Sequence, residues 1–315
     1  MNKLTCRICS SNAEHTVYEA SEMMFGLRDR FMYFQCSQCG CLQISEVPAN
    51  MDKYYPAQYY SFTPKARLSL KNPVEKALRR FRDYHTVFNR GILGRLISSV
   101  TPNKKMTALG HLKNLTTRSR ILDVGCGDGW RLNVLREVGF ESLLGIDPYI
   151  PQDITYENGV TVKKRSIHEA TGEWDLIMYH HSFEHVPDPQ EQLQRVAGLL
   201  SSGGCCLLRL PTVSSFAWEQ YRENWFQLDA PRHFFLHSIE SIKFLAEKAG
   251  LSLQAIVFDS TADQFQGSEL YKRDIPFTAQ ANNFPKSQVR EWKALAKKLN
   301  KEKRGDQAAF YLVKK

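Results

Sequence analysis

The sequence lacks any long apolar run. Met1 to His15 contain no apolar stretch that would form the core of a signal peptide, and nowhere do about 18 uncharged apolar residues follow one another. We therefore expect a cytoplasmic protein without a transmembrane segment. The chain also lacks the composition of a disordered protein, because 43% of its residues are hydrophobic and 24% are charged. A folded globular protein is expected.

Acidic residues are scarce between positions 61 and 120. This stretch has 14 Lys and Arg but only two acids, Glu75 and Asp83, and its charge of +12 exceeds the net charge of +9 of the whole chain. Such an asymmetry predicts an anionic partner. The alternatives are a solvated helical face, whose cationic side chains lie over apolar surface, and a peripheral contact with a membrane.

No internal repeat is visible, but composition divides the chain into three units. Residues 1–48 contain five of the eight cysteines and short β-prone pieces. Residues 49–118 form an aromatic linker and a basic connector, in which the spacing of Val74, Leu78 and Phe81 predicts a helix. In residues 119–315, short apolar strands alternate with amphipathic stretches of helical length. That alternation predicts an α/β domain with a mostly parallel sheet.

Seven strands are predicted in this α/β domain. They are ILDV, SLLGID, VTVKK, WDLIMYH, GCCLLRL, LSLQAIVFD and QAAFYLVK. Two long segments, residues 211–235 and 260–285, fit neither strand nor helix well and follow the fifth and sixth strands. Long loops at the carboxyl ends of strands are typical of lids or substrate walls.

The stretch ILDVGCGDGW places glycines at 125, 127 and 129, directly after a buried strand. Dinucleotide sites need a third glycine one residue later, where Trp130 stands, so a diphosphate bridge is disfavoured. Asp123 could face an ammonium group. Asp147, which ends the next strand, could accept hydrogen bonds from a ribose. The predicted ligand has a ribose and a cationic amino-acid part but no phosphate.

Four ordered stretches resemble the class I S-adenosylmethionine-dependent methyltransferases. ILDVGCGDGW and GIDPY are similar to their first two motifs, and WDLIMYHHSFEHVPDP and LLSSGGCCLLRLP are similar to their fourth-strand and fifth-strand regions. The resemblance implies a Rossmann-like sheet of seven strands with the last antiparallel. It also implies cofactor contacts from Asp123, Gly125, Gly127, Gly129, Asp147, Pro148, Ser166, Ile167 and His180, of which Ser166 and Ile167 lie near the adenine.

Two C-x2-C pairs, Cys6 with Cys9 and Cys36 with Cys39, suit tetrahedral zinc. A β unit of under about 50 residues usually needs such a metal to fold. All four positions would be filled by protein, so the zinc would be structural. Cys41 or His15 could replace one ligand.

Methyl transfer to a weak nucleophile needs a positioned base, and imidazole has a suitable pKa. The fourth strand ends in MYHHSFEHVPDP, and LDAPRHFF follows later in the chain. In the family, EH after the fourth strand lines the pocket, and many sugar methyltransferases use a histidine as the base. We therefore predict His185 and His233 as candidate bases ahead of His181, with Glu184 orienting them.

A zinc-binding unit before such a core, together with DAPRH, resembles bacterial methyltransferases of sugar and surface-polysaccharide pathways. The predicted acceptor is a sugar hydroxyl on an anionic nucleotide sugar or glycan. The chain ends at QAAFYLVKK, without the further domain of some sugar C-methyltransferases, so carbon methylation is the alternative. RNA methylation is a second alternative, favoured by a pI near 9.1. No N-P-P-[YF] motif follows the fourth strand, so nucleic acid is disfavoured.

Overall fold

The computed structural model describes residues 4–55, 72–279 and 284–314. Lys65, Arg67 and Lys71 of the basic stretch lie outside these residues, as does most of the aromatic linker. The described strands form two sheets, one of four strands and one of eight.

The first sheet is antiparallel and contains the cysteine-rich residues. Its strands are β1 (Thr16–Ser21), β2 (Arg30–Gln35), β3 (Leu42–Ile44) and β10 (Phe235–Leu236), in the order β1-β2-β3-β10. The last strand comes from the segment predicted as a loop and pairs Leu236 with Leu42. All of β3 and β10 is buried, because this edge of the first sheet packs against the α/β part of the chain.

Two helices form the connector, as the apolar spacing predicted. Helix α1 (Pro73–Phe88) begins where the Asn72 side chain accepts from the amide of Val74, and it ends at Asn89 in the left-handed conformation. Helix α2 (Ile92–Val100) folds back on α1. Gly94 makes this crossing close, because a Cβ at that position would overlap the carbonyl of Phe81.

The second sheet contains the seven predicted strands. They are β4 (Ile121–Val124), β5 (Leu143–Ile146), β7 (Thr161–Lys163), β8 (Trp174–His180), β9 (Leu200–Pro211), β11 (Leu251–Phe258) and β12 (Gln307–Lys314), and β6 (Ile154–Thr155) adds a short edge. The strand order is β11-β12-β9-β8-β4-β5-β7-β6. Strand β12 runs antiparallel to both of its neighbours, as predicted.

The remaining helices cover both faces of this sheet. They are α3 (Trp130–Val138), α4 (Pro189–Leu199), α5 (Phe216–Tyr221), α6 (Ile239–Lys248), α7 (Asp263–Lys272) and α8 (Lys286–Lys301). The prediction that residues 211–235 and 260–285 lack regular structure was therefore wrong. Helix α7 buries Phe265, Leu270 and Tyr271, but the glycine at 267 interrupts its apolar pattern. No helix of the described part is long and apolar enough to cross a bilayer.

Candidate active site

The glycine loop connects the carboxyl end of β4 to the first turn of α3. All three glycines have positive φ, between 57° and 70°, a backbone conformation that other residues adopt at a cost. A Cβ at Gly125 would come within 2.5 Å of the Cβ of Ser182, and one at Gly129 within 2.6 Å of a Val162 methyl. Backbone conformation and neighbouring side chains thus require glycine at 125 and 129, independently of any ligand.

Asp147 lies opposite the loop, at the end of β5. Its two carboxylate oxygens accept hydrogen bonds of 2.9 Å from the amides of Gly127 and Tyr149. Burial raises the pKa of Asp147, while these two amides lower it. Each oxygen keeps a lone pair for a further donor. The acid is therefore held directly against the loop, at the strand end where the sequence predicts contact with a ribose.

Asp123 is buried and already has a cationic neighbour. Its Oδ2 atom lies 3.2 Å from a guanidinium nitrogen of Arg131, on α3. Burial raises the pKa of Asp123 to about 6, although Arg131 opposes this effect. Oδ1 of Asp123 and Nε of Arg131 have no hydrogen-bond partner among the described residues. The sequence did not indicate this ion pair. Its two unpaired atoms can form hydrogen bonds to a zwitterionic ligand.

A cavity of about 780 Å³ opens beside the loop. Five predicted site residues line it: Gly125, Gly127, Asp147, His180 and His181. The other predicted site residues do not line it: Asp123, Gly129, Pro148, Ser166, Ile167, Glu184, His185 and His233. His180 is buried, and neither of its ring nitrogens has a partner among the described residues. Such unpaired buried groups at a cavity wall are typical of a ligand site.

His181 lies at the cavity wall with positive φ and is held on both sides. Its Nε2 atom accepts from the guanidinium of Arg209 at 2.8 Å, and Arg209 also pairs with Asp259. The proton of His181 is therefore on Nδ1, which lies 3.4 Å from Oε1 of Glu184. Because Arg209 occupies the lone pair of Nε2, His181 is poorly placed to accept a proton.

His185 and His233 are oriented differently from His181. Nδ1 of His185 lies 2.8 Å from the carbonyl of Arg232, and Nδ1 of His233 lies 2.7 Å from that of Gln227. A carbonyl only accepts, so each Nδ1 carries the proton and each Nε2 has a free lone pair. The two rings are 4.8 Å apart. Burial, then the neighbouring His233, lowers the pKa of His185.

Glu184 is fully buried beneath these histidines. Its Oε1 atom lies 3.9 Å from Nε2 of His233, and neither oxygen makes a well-aligned hydrogen bond within the described residues. Burial alone would raise the pKa of Glu184, but His181, His185 and His233 lower it to about 2. An ionised, unpartnered carboxylate in this position stabilises positive charge on the neighbouring imidazoles.

Residues of the first sheet hold this cluster in place. Arg232 is fully buried and pairs with Asp229 at 2.6 Å and with Glu22 at 2.7 Å. The hydroxyl of Tyr33 donates to the carbonyl of His233 at 2.9 Å. The loop that carries His233 is therefore fixed by the amino-terminal residues.

The four predicted zinc ligands lie together. The Sγ atoms of Cys6 and Cys39 are 3.6 Å apart, as are those of Cys9 and Cys36, and one ligand atom from each residue lies within 4.8 Å of the others. The two knuckles have matching turns, because the carbonyls of Cys6 and Cys36 each accept from the amide four residues later. Amide donors reach the sulfurs of Cys6 and Cys36. The donor set fits a tetrahedral metal.

Neither proposed substitute ligand joins this cluster. His15 lies against Phe34, and its Nε2 atom is 3.2 Å from the carbonyl of Ser11. The Cys41 thiol is buried and donates to the carbonyl of Leu42. Both residues are outside the group of atoms that could hold one ion.

Similarity to known proteins identifies the family. A family model described as a methyltransferase domain matches residues 74–256, more than half of the chain. The ubiquinone biosynthesis O-methyltransferase of Bordetella avium (strain 197N) is 32% identical over 96 residues, covering 27% of this chain and 39% of that protein. The C-methyltransferase NovU of Streptomyces niveus is 27% identical over 168 residues, covering 49% and 37%. The chain thus spans less than half the length of these two relatives.

The cyclopropane synthase MmaA2 of Mycobacterium tuberculosis aligns with a TM-score of 0.43 and 16% identity, over 78% of this chain and 100% of that one. By the match to the family model, the chain belongs to the methyltransferase-domain family. Residues 74–256 therefore belong to an S-adenosylmethionine-dependent methyltransferase domain, which is built on the mixed α/β sheet. The glycine loop, Asp147 and the unpaired polar atoms around the cavity fit the ribose and the charged amino-acid part of that cofactor.

Proposed function

We propose that the chain transfers a methyl group to a hydroxyl of a sugar, carried on a nucleotide or on a surface glycan. One arrangement supports this most directly: Nδ1 of His185 and Nδ1 of His233 each lie at a backbone carbonyl, which leaves Nε2 to accept a proton, and the buried, ionised Glu184 lies 3.9 Å from Nε2 of His233. A sugar hydroxyl is a weak nucleophile, so its methylation benefits from such a base. A strong nucleophile would not need it.

When bound, the cofactor would supply an activated methyl group on a sulfonium. Nε2 of His185 or His233 would take the proton that the sugar hydroxyl loses. Glu184 stabilises the imidazolium that results, and the protonated Nδ1 atoms keep both rings oriented. His181, with its Nε2 atom bound by Arg209, is assigned a positioning role.

The cofactor contacts follow the predicted motifs. Gly125 and Gly127 bring bare backbone to the ligand, Asp147 binds the ribose hydroxyls, and Asp123 with His180 lies near the methionine part. Gly129 sets the first turn of α3, and Pro148, Ser166 and Ile167 are assigned to the adenine side. Ser166 also forms a capping box with Glu169, which orients that short segment.

The four cysteines are proposed to bind one structural zinc in the amino-terminal unit, residues 1–48. Residues 49–118 then serve as the connector, and residues 119–315 as the catalytic domain. The zinc would stabilise the sheet whose residues Glu22 and Tyr33 hold the His233 loop. A cytoplasmic location agrees with thiols that remain reduced.

Lysines at the cavity wall, rather than its overall charge, support an anionic acceptor, because the wall as a whole has five Asp to balance five Lys and Arg. Lys104 and Lys105, which follow the connector helices, line one side of the cavity, and Lys297 of α8 also lines it. Cations from two elements around one opening suit the phosphates of a nucleotide sugar or a lipid-linked glycan.

Methyl-labelled cofactor tests the proposal when it is incubated with a panel of nucleotide sugars and, separately, with cell-envelope glycan. We expect label in a sugar as an ether, and about a 100-fold or greater loss in the His233→Asn variant. The matched control is His168→Asn, because His168 is exposed and does not line the cavity. Label that appears only in RNA would contradict the proposal.

Carbon methylation is the second candidate, favoured by the similarity to the C-methyltransferase NovU. The same bases could remove a proton from carbon. Nuclear magnetic resonance of a ¹³C-methylated product distinguishes an ether methyl from a carbon-bound one.

The histidine cluster could also hold a divalent ion, because the donor atoms of Glu184, His185 and His233 lie within 4.8 Å of one another. Assays with and without a chelator test this alternative. Activity that needs added metal would argue against a base role.

A further inference from the structure

The connector helices expose an unusual amount of apolar surface. Of the twelve large hydrophobic residues that are exposed in the described part of the chain, eight lie between positions 74 and 100. On α2, the most exposed are Ile92 at 83%, Val100 at 81% and Leu96 at 62%. Contiguous exposed apolar surface of this kind usually marks an interaction site.

The exposed residues of α2 form one stripe. Ile92, Leu96 and Val100 are spaced four residues apart, so they lie on the same side of the helix. Gly94 faces the opposite way and contacts α1. The fold thus uses one side of α2 for its crossing with α1 and leaves the apolar side outward.

Exposed cations lie on the same two helices as this stripe and on the turn between them. Arg80 and Arg95 are exposed on α1 and α2, and Arg90 is exposed between the two helices. None of the three has an ion pair with a described residue, whereas Glu75 and Asp83, the two nearby acids, are paired with Arg79 and Arg82. An apolar helix face bordered by arginines has the composition of an interfacial membrane helix.

The charge of this face distinguishes among three possible partners: a second copy of the chain, RNA and a membrane. A second copy of this chain would bring two sets of arginines into one interface, in which the nearby acids Glu75 and Asp83 are already paired with Arg79 and Arg82. RNA would pair with the arginines but would gain nothing from Ile92, Leu96 and Val100. A bilayer with anionic headgroups satisfies both features, because the apolar side chains enter the interface while the guanidinium groups reach the phosphates.

We propose that helices α1 and α2 bind the enzyme peripherally to anionic membranes through the stripe Ile92, Leu96 and Val100 and the bordering arginines. Lys104 and Lys105 follow α2 and line the active-site cavity, so a membrane bound by α2 lies close to the opening. The inference about the acceptor rests on the proposed function: an active site close to a membrane favours a lipid-linked glycan over a free nucleotide sugar.

Vesicle flotation of the full chain tests the proposal, with phosphatidylglycerol vesicles compared with phosphatidylcholine vesicles. We expect binding to the former, weakened by salt and reduced about 10- to 100-fold by Ile92→Asp with Leu96→Asp. Val100→Asp is a second variant on the same stripe. The control is Val17→Asp with Met32→Asp, which changes exposed apolar residues on β1 and β2. Binding of S-adenosylhomocysteine by each variant confirms that it has folded, and it does not depend on the acceptor.

Three other outcomes would overturn the proposal. If the wild type fails to bind vesicles and is a dimer that Ile92→Asp with Leu96→Asp dissociates, the stripe is a subunit interface. If it binds RNA but no vesicles, and this variant binds RNA equally well, the arginines serve nucleic acid. A monomer that binds neither would show that the stripe has no such partner. If the chain binds vesicles but no sugar is methylated in any assay, membrane binding is supported and the lipid-linked acceptor is not.

Discussion

Arg232, on the loop after β9, forms a fully buried ion pair with Glu22 of the amino-terminal unit, with 2.7 Å between Nη2 and Oε1. Two residues 210 positions apart thus share one buried network, to which Asp229 and the carbonyl of Tyr54 also belong. Glu22 in turn accepts from the amides of Phe25 and Leu27. His233, a candidate base, is the next residue after Arg232. The ion pair therefore links the cysteine-rich sheet to the reactive cluster.

Glu22→Gln should destabilise the fold strongly. Removing one partner leaves the Arg232 charge buried with less compensation, which typically costs about 3–5 kcal/mol. Urea unfolding measures the free-energy change. The control is Glu19→Gln, because Glu19 pairs with Arg30 on the surface, where about 0–1 kcal/mol is expected. Equal losses of stability in the two variants would show that the buried pair contributes no more than the surface pair.

Asp147→Asn should weaken cofactor binding. The substitution removes a charge and one acceptor, and hydrogen bonds to a charged group are worth about 1.5–3 kcal/mol, so a loss of about 10- to 100-fold is expected. Calorimetry with S-adenosylhomocysteine provides the affinity. Asp153→Asn is the matched control, because Asp153 is also close to β5 in sequence but pairs on the surface with Lys163. An unchanged affinity in Asp147→Asn would rule out the ribose assignment.

His185→Asn and His233→Asn should separate catalysis from cofactor binding. Loss of the base is expected to lower kcat by about 10²- to 10⁴-fold in at least one of these variants, while affinity for S-adenosylhomocysteine stays near that of the wild type. Single-turnover measurements with the identified acceptor provide the rate. If both variants retain full activity, the acceptor needs no base from this cluster.

The dependence of activity on pH should also reflect the histidine cluster. A base works in its deprotonated form, and burial together with His233 lowers the pKa of His185 below its usual 6.5. Activity should therefore persist at pH 6.5 and fall only at lower pH. Glu184 opposes this shift by raising the pKa of His185, so Glu184→Gln should move the acidic limb to still lower pH. A limb that moves the other way would contradict the arrangement.

Zinc removal should affect the fold of the first sheet. Elemental analysis is expected to find one zinc per chain, and Cys36→Ser should lose it together with a lowered unfolding temperature. Cys205→Ser is the control, because Cys205 lies on β9 and outside the cysteine cluster. Wild-type protein that neither contains zinc nor gains stability from added zinc would refute the metal assignment.

The sequence identified those parts of the fold that depend on local pattern. The seven strands of the main sheet and the glycine loop are readable because apolar runs and glycine spacing are short-range signals. Strand β10 is only two residues long, and its partner β3 lies about 190 positions earlier, so no periodicity could reveal the pairing. Helix α7 was missed because Gly267 and Ser268 are buried at positions where an apolar pattern would be expected.

The candidate site was only partly predictable for a similar reason. The residue types around Asp147 and Glu184 indicated cofactor and base chemistry. The roles of the individual histidines depend on their partners. Arg209 donates a hydrogen bond to Nε2 of His181, and the carbonyl of Gln227 accepts one from Nδ1 of His233. Such contacts are set by the tertiary fold and have no signature in a single sequence.

The pairing of β10 with β3 has a consequence for biosynthesis. β3 leaves the ribosome before β10, the strand that covers its edge and emerges about 190 residues later. At ~5–20 residues per second, this edge stays open for roughly 10–40 s. During that interval the buried surface of β3 is exposed to other nascent chains, so early capture of a metal by the knuckles would protect the newborn protein from aggregation.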